Sequence, residues 1–330
     1  MKKINKINMI SIILIILTFI IVSCCFLLSS SFNIDSIISQ FEHAELHYIL
    51  LSGFCGIAGN YIKGIRWKKH QCNEKRKMSS AFGFFCISLG CLSDLIIPRS
   101  GELIRIKVTQ RKCGGKFTEI MSGIILERIT DAVIVISLLM FSAYAGFKLV
   151  TLSDSMTDVI AMVLRILTVI SLFFWLFIKK VKAFARARLA LATLINYFKS
   201  SMRYFNFTYA GMVLFLLSST AWILYYLQTY YALIAVFGNH ITIKQSLFVF
   251  LAGTVGMMIP IQGGIGTYHT SVMLALRPFS NDINANLAFA LSMHLTYVVS
   301  IFISTFVIWA YLSVERLLSK EKNYECNRIE

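Results

Sequence analysis

Asp94-Leu-Ile-Ile-Pro98-Arg-Ser-Gly101-Glu102-Leu-Ile-Arg105 and Gly256-Met-Met-Ile-Pro260-Ile-Gln-Gly263-Gly264-Ile-Gly266 share one plan: an apolar run, a proline, glycine, then a second short helical segment. The chain has only 3 prolines, and two of them sit here. Proline removes a backbone donor and glycine admits dihedrals that other residues avoid, so both runs are expected to break as helices at Pro98 and Gly101 and at Pro260. Inside a bilayer such a break persists only where protein or a water-filled cavity satisfies the freed backbone groups. The pair therefore predicts two broken helices facing one buried polar site, an arrangement suited to holding a transported substrate.

The rest of the sequence supplies the bilayer. Of 330 residues, 57% are hydrophobic and 15% charged, with a mean hydropathy of +0.71. This composition belongs to an integral membrane protein. The formal net charge of +16 does not point to nucleic acid. Lys and Arg gather in short segments between apolar runs, the pattern of cytoplasmic loops, and no basic stripe interleaves with aromatics. The cysteines (Cys24, Cys25, Cys55, Cys72, Cys86, Cys91, Cys113 and Cys326) contain no Cys-x-x-Cys pair and suggest neither a disulfide framework nor a zinc site.

Taken in order, a basic start at Met1 to Lys6 precedes an apolar run from Met9 to Leu28. Ile21-Val22-Ser23-Cys24 resembles a lipoprotein cleavage box, but an apolar core of about 19 residues is long enough to span, and an uncleaved first span is expected. Leu46 to Ile65 returns the chain inside and delivers Lys63, Arg66, Lys68, Lys69, Lys75, Arg76 and Lys77 to a basic loop. Were Ala81 to Ile97 a full crossing, the basic residues from Arg99 to Lys116 would lie outside. A re-entrant hairpin, returning from Gly101 to Lys112, removes that conflict.

Glu119 to Ala145 and Met156 to Ile178 read as spans, followed by a basic interfacial helix within 179–203 and a span from Tyr209 to Phe237. Ser246 to Leu276 reads as a second hairpin entering from the opposite face, and Ala285 to Leu312 as the last span. In this layout all but five of the 32 Lys and Arg residues lie inside. The fold expected is all-α, a single polytopic membrane domain of six spans and two opposed hairpins. Its halves are 1–150 and 151–315, with a short tail at 316–330 and both termini cytoplasmic. Eight full spans is the alternative.

The chemistry lies beside the breaks. Glu102 and Arg105 are three apart, share a helix face and are expected to pair. Asp94, Arg99, Glu102 and Arg105 read either as interfacial charges snorkelling to headgroups or as a phosphate site. In the second reading, the forked donors of Arg99 and Arg105 hold the anion, helped by the amides after Pro98. Glu127, Arg128 and Asp131 fall inside a span, where a central charge costs about 2.5–3.5 kcal/mol, so they are expected to face the bundle and pair. They serve either as a structural lock or as substrate contacts. Arg165 and Asp94 are further candidates for an internal ion pair, with Asp131 or Glu127 as the partner of Arg165. Gly263, Gly264 and Gly266 admit close backbone approach to a ligand or close helix packing. His269 and His294 read as core histidines or a proton relay. The sequence shows no nucleophile and base, metal-ligand cluster or P-loop, so no cofactor, metal or ATP-driven step is expected.

Pro98-Arg-Ser-Gly-Glu102-Leu-Ile-Arg105, Glu127-Arg-Ile-Thr-Asp131 and Gly263-Gly-Ile-Gly266, in that order, resemble the flippase-like family, also called the lysylphosphatidylglycerol synthase transmembrane-region family. The resemblance covers about residues 9–315. It implies a polytopic bacterial or archaeal inner-membrane protein that moves a lipid with a polar or phosphate-bearing head between leaflets. Multifunctional members carry a following aminoacyl transferase domain. This sequence runs to Glu330 with only a short charged tail, so lysyl-lipid synthesis is not expected. The family motif usually continues with glutamate where this sequence has His269, which puts a cationic-headgroup specificity in doubt.

The expected partner is an anionic phospholipid or a polyprenyl-phosphate-linked lipid, with no nucleic acid and with homo-oligomerisation left open. Two rival readings remain. One is a membrane enzyme modifying a polyprenyl-linked or glycerophospholipid substrate with Glu102, Glu127 or Asp131 as base; the other is a secondary transporter of a small anion.

Overall fold

The computed structural model describes residues 44–72, 77–144, 209–259 and 261–329, with Ser39 and Glu42 ahead of them. The spans expected at Met9 to Leu28 and Met156 to Ile178, the interfacial helix, Arg165 and Pro260 lie outside the described residues. Within them the chain is all-helical: α1 Leu46–Gln71, α2 Ser80–Ile96, α3 Gly101–Cys113, α4 Phe117–Tyr144, α5 Tyr209–Phe237, α6 Ile243–Met258, α7 Thr267–Leu276 and α8 Ile283–Ile329. Single 3₁₀ turns occupy Gly238–His240 and Gln262–Gly264.

The helices are inside out by the standards of a water-soluble protein. On α8, Ser292, Ser300, Ser304 and Thr305 are buried while Leu295, Val299, Phe302, Ile303, Phe306 and Val307 are exposed. On α4, Glu127, Thr130 and Asp131 are buried while Ile129, Val133, Ile136 and Met140 are exposed. An outward apolar stripe with inward polar groups fits lipid as the surrounding solvent. The hydroxyls of Thr130, Ser292, Ser304 and Thr305 are satisfied along their own helix, as where Thr305 donates to the Ile301 carbonyl at 2.7 Å. Segments Gly211–Phe237 and Ile283–Glu315 are long and apolar enough to cross a bilayer.

Both proline-glycine segments fold as antiparallel hairpins. In the first, the Lys112 ammonium lies 4.5 Å from the Phe82 ring centre, Cys86 meets Thr109, and Gly90 meets Gly101 and Arg105. The Ser79 hydroxyl caps α2 by accepting from Phe82 N at 3.1 Å. At the break, the Asp94 carboxylate accepts from Gly101 N at 2.8 Å and the Ser93 and Ser100 hydroxyls bond to each other. The amide freed at the start of α3 is thus satisfied by the last turn of α2.

In the second hairpin, Thr242 and Gln245 form a capping box at the start of α6, and Gly256 lies against Thr267 and Ser271 of α7. The turn itself runs through Gly263, Gly264 and Gly266 at φ 57°, 73° and 85°, a region that favours glycine. None of α2, α3, α6 and α7, of 17, 13, 16 and 10 residues, reaches the about 20 residues needed to cross alone.

The long helix α8 acts as a ruler for the two hairpins. Phe289, Ala290 and Met293 share a core with Phe248 and Val249 of α6 and Val272, Ala275 and Leu276 of α7. Further along, Ile308 and Leu312 share a second core with Trp67, Met78, Phe82 and Ile106. These cores are separated by about 30 Å of helix, roughly the hydrocarbon thickness of a bilayer. The hairpins therefore start from opposite ends of α8 and meet between them. Their tips are joined by Arg99 Nη2 donating to the Met258 carbonyl at 2.6 Å and by Gln262 Nε2 donating to the Leu95 carbonyl at 3.2 Å.

Helices α1 and α5 run antiparallel beside them. Glu45 N donates to the Ala235 carbonyl at 3.1 Å, the Ser52 hydroxyl to the Gln228 carbonyl at 2.8 Å, and the Tyr225 hydroxyl to Asn60 Oδ1 at 2.8 Å. One boundary differs from the sequence reading. Helix α1 continues past Ile65 to Gln71, so Arg66 and Trp67, expected in a basic loop, are buried in the bundle. The reason is charge matching: Arg66 meets carboxylates inside, so the helix need not end at its first cations.

Helices α1 and α2 touch backbone to backbone, since a Cβ at Gly83 would fall on the Gly64 carbonyl and one at Gly64 would lie 2.5 Å from Phe84 N. Gly83→Val is expected to cost about 1–3 kcal/mol or more through overpacking. It should lower the thermal unfolding midpoint in detergent, whereas Ile303→Val on the lipid-facing side of α8 should leave that midpoint nearly unchanged.

Candidate functional site

The strongest electrostatic feature joins four helices. Arg66 of α1 donates from Nη1 to Asp131 Oδ1 at 2.6 Å and from Nη2 to Asp131 Oδ2 at 3.1 Å, and its Nη2 lies 3.0 Å from Glu127 Oε1. Nη1 also donates to the Ser218 hydroxyl of α5 at 2.7 Å. Arg105 of α3 forks onto Glu127 from the other side, at 2.7 Å and 3.3 Å. Its guanidinium stacks over Trp67, 4.1 Å from the ring centre. Asp131 accepts a further bond from Trp222 Nε1 at 3.2 Å. Two guanidinium groups and two carboxylates thus neutralise one another in a buried, largely closed set.

The spacing on α4 makes this geometry. Glu127 and Asp131 are four apart and share a face, so one guanidinium spans both. Their partner is Arg66 together with Arg105. Glu102, expected to pair with Arg105, instead receives Arg128 Nε at 2.8 Å in an exposed pair. The local i, i+3 geometry is overridden because Arg105 turns toward the buried carboxylate while Glu102 stays on the partly open face. Asp94, a candidate for an internal ion pair, spends a carboxylate oxygen on the Gly101 amide. Arg99 is exposed at the tip junction with φ 61°, a strained value for a residue with a side chain. Gly263, Gly264 and Gly266 form the opposite tip. His269 is buried, accepts from Gly266 N through Nδ1 at 3.3 Å, and has its ring 4.9 Å from that of His294.

Arg66 lies about 7 Å of helix from the last residue of α1, whereas Glu127 and Asp131 fall near the middle of α4. Beside the cluster is a cavity of about 250 Å³ between α1, α2 and α5 to α8, lined by Asn60, Lys63, Tyr225, Gln228, Thr254 and Tyr297 among others. Lys63 is its one cationic lining residue. The ammonium lies 5.1 Å from the Tyr225 ring centre and has no carboxylate partner among the described residues. Trp222 lines the cavity and bonds to Asp131, so the cavity and the ion cluster share a wall.

Sequence reasoning missed Lys63 and Arg66 by assigning both to the basic loop. The signal for Lys63 was present, since Gly56, Asn60 and Lys63 follow i, i+4, i+7 spacing and so share one helix face. Among the described residues no three His, Cys, Asp or Glu side chains gather as a metal site. The family model for the lysylphosphatidylglycerol synthase TM region matches residues 9–305. Comparison with curated proteins finds no match.

Removing Arg66 strands buried carboxylates, whereas Glu102 sits in a partly exposed pair. Arg66→Leu is expected to cost about 3–5 kcal/mol and Glu102→Gln at most about 1 kcal/mol, read from unfolding midpoints in detergent. Equal losses in the two variants would contradict the assignment of the buried cluster as the structural lock.

Proposed function

The chain belongs to the lysylphosphatidylglycerol synthase transmembrane-region family, a membrane family tied to lipid handling, and from that premise we propose that it carries a phosphate-bearing lipid between the two leaflets. The observation that carries this reading is Lys63: an ammonium without an ion-pair partner among the described residues, in a largely apolar cavity beside the meeting point of two opposed hairpins. A membrane-embedded cation without a direct ion pair is costly, and an anionic headgroup supplies that pair. Hydroxyl and amide groups of Asn60, Tyr225, Gln228 and Tyr297 are placed to receive the rest of the head, while the acyl chains stay in lipid.

In this proposal the substrate-binding candidates divide by role. Lys63 and the exposed Arg99 at the tip junction attract the phosphate. Gly263, Gly264 and Gly266 let the second tip approach closely. Arg105, Glu127 and Asp131, with Arg66, position the helices around the cavity, and the Arg128 and Glu102 pair lies on the rim. His269 fixes the start of α7 beside the cavity wall formed by Tyr268. Alternating exposure follows when one hairpin rocks against the other around the shared site, as in transporters built on discontinuous helices. The gathering of Lys and Arg at the α2 and α3 base supports a cytoplasmic location for that end in a bacterial inner membrane.

The test is reconstitution of the full chain in vesicles with a head-labelled anionic phospholipid. Wild-type protein is expected to move label between leaflets with no new lipid in the extract. Lys63→Ala should slow that movement about tenfold or more, the scale of a lost charged hydrogen bond. Unchanged movement in a folded Lys63→Ala variant overturns the cavity as the carrier site. A chemically altered lipid in the extract points to the enzyme reading instead.

A further inference from the structure

A second cleft lies at the other end of the molecule, where the chain turns from α7 into α8. Its volume is about 500 Å³, within the roughly 300–1,000 Å³ range of small-molecule sites, and its border includes Leu274, Arg277, Ser280, Ile283 and Asn286. Three features show that it is equipped for a ligand. Arg277 is the one charged lining residue, is exposed, and makes no ion pair among the described residues. Asn286 is 3% exposed, spends its amide NH₂ on the Ser280 carbonyl at 3.0 Å, and leaves Oδ1 without a hydrogen-bond partner. Leu274 and Ile283 add exposed apolar walls.

The amides at the start of α8 do not account for this site. Asp282 Oδ1 already accepts from Asn284 N at 2.9 Å and Ala285 N at 3.1 Å. The cleft therefore offers a forked cation, a buried acceptor with no donor, and apolar flanks, beside the start of the long apolar helix α8.

We propose that this cleft binds the phosphodiester headgroup of a phospholipid from the leaflet at the α6 and α7 base, with phosphate on Arg277 and a headgroup hydroxyl on Asn286 Oδ1. Charge and donor together set the class. A glycerol headgroup brings the anion, a hydroxyl donor and no cation; an ethanolamine headgroup brings a donor but also an ammonium beside Arg277, and a choline headgroup brings an equivalent phosphate and no donor. Leu274 and Ile283 take the upper part of an acyl chain. The site is separate from the central cavity, so it stands or falls independently of the transport reading.

Native mass spectrometry of the full chain in uncharged detergent, titrated with phosphatidylglycerol, tests this. Phosphatidylglycerol is expected to bind more tightly than phosphatidylcholine. Arg277→Gln should weaken it about tenfold, and Leu274→Asn should weaken it as well. The Arg277→Gln loss should persist in a Lys63→Ala background, where the central cavity lacks its cation. Soluble glycerol 3-phosphate should fail to displace the lipid. Retention that is the same in wild type, Arg277→Gln and Leu274→Asn overturns the site, and equal competition by glycerol 3-phosphate overturns a lipid as its ligand.

Discussion

A guanidinium held between two carboxylates one helical turn apart governs how this bundle is put together. Glu127 and Asp131 on α4 meet Arg66 of α1, which also donates to Ser218 of α5, and Glu127 meets Arg105 of α3. Each charge alone costs about 2.5–3.5 kcal/mol at membrane depth, so a bundle carrying all four is stable only with all of them satisfied together. Alternative registers of α1 against α4 leave a buried charge unpaired. The cluster thus selects one arrangement, and it explains why α1 extends beyond the first cations instead of ending at them.

The two ends of the first hairpin are consequently held by different means. Toward its base it is held by the core around Trp67, Phe82 and Ile106, with the buried Arg105 and Glu127 pair between base and tip. Its tip is joined to the second hairpin through Arg99 to the Met258 carbonyl and Gln262 to the Leu95 carbonyl. Ordinary hydrogen bonds contribute about 0.5–1.5 kcal/mol net, far less than a broken buried ion pair costs. Arg99 also holds a backbone angle that costs of order 1–3 kcal/mol. The tip junction is the weaker joint, and it lies beside the cavity.

The breaks were legible in the sequence because proline and glycine act locally: the turns at Pro98 to Gly101 and at Gly263 to Gly266 need no tertiary information. The membrane class followed from composition, and opposed hairpins from the sidedness of Lys and Arg. Partner choice was not legible. Glu102 and Arg105 look like a helix pair, yet the buried Glu127 outcompetes the nearer carboxylate, and only the packing of α3 on α4 decides that. Arg66 was hidden for a different reason. Beside Lys68 and Lys69 it reads as a loop charge, and telling a buried cation from a loop cation requires knowing that α4 delivers carboxylates. Lys63 did carry a local signal in its spacing from Gly56 and Asn60, but the cavity it lines is made only by the packing of α2 and α5 to α8.

His269 shows how a departure from a motif can keep one role and alter another. The position is the third residue of α7, where glutamate would accept a bond from the backbone at the helix start. His269 does this with Nδ1, taking the Gly266 amide at 3.3 Å. The replacement therefore preserves the start of α7 while placing an imidazole against His294 instead of a carboxylate. Tyr268, not His269, lines the central cavity, and Lys63 supplies the cationic lining. The histidine therefore bears first on how the second hairpin is closed, and not on the lining of the cavity around Lys63.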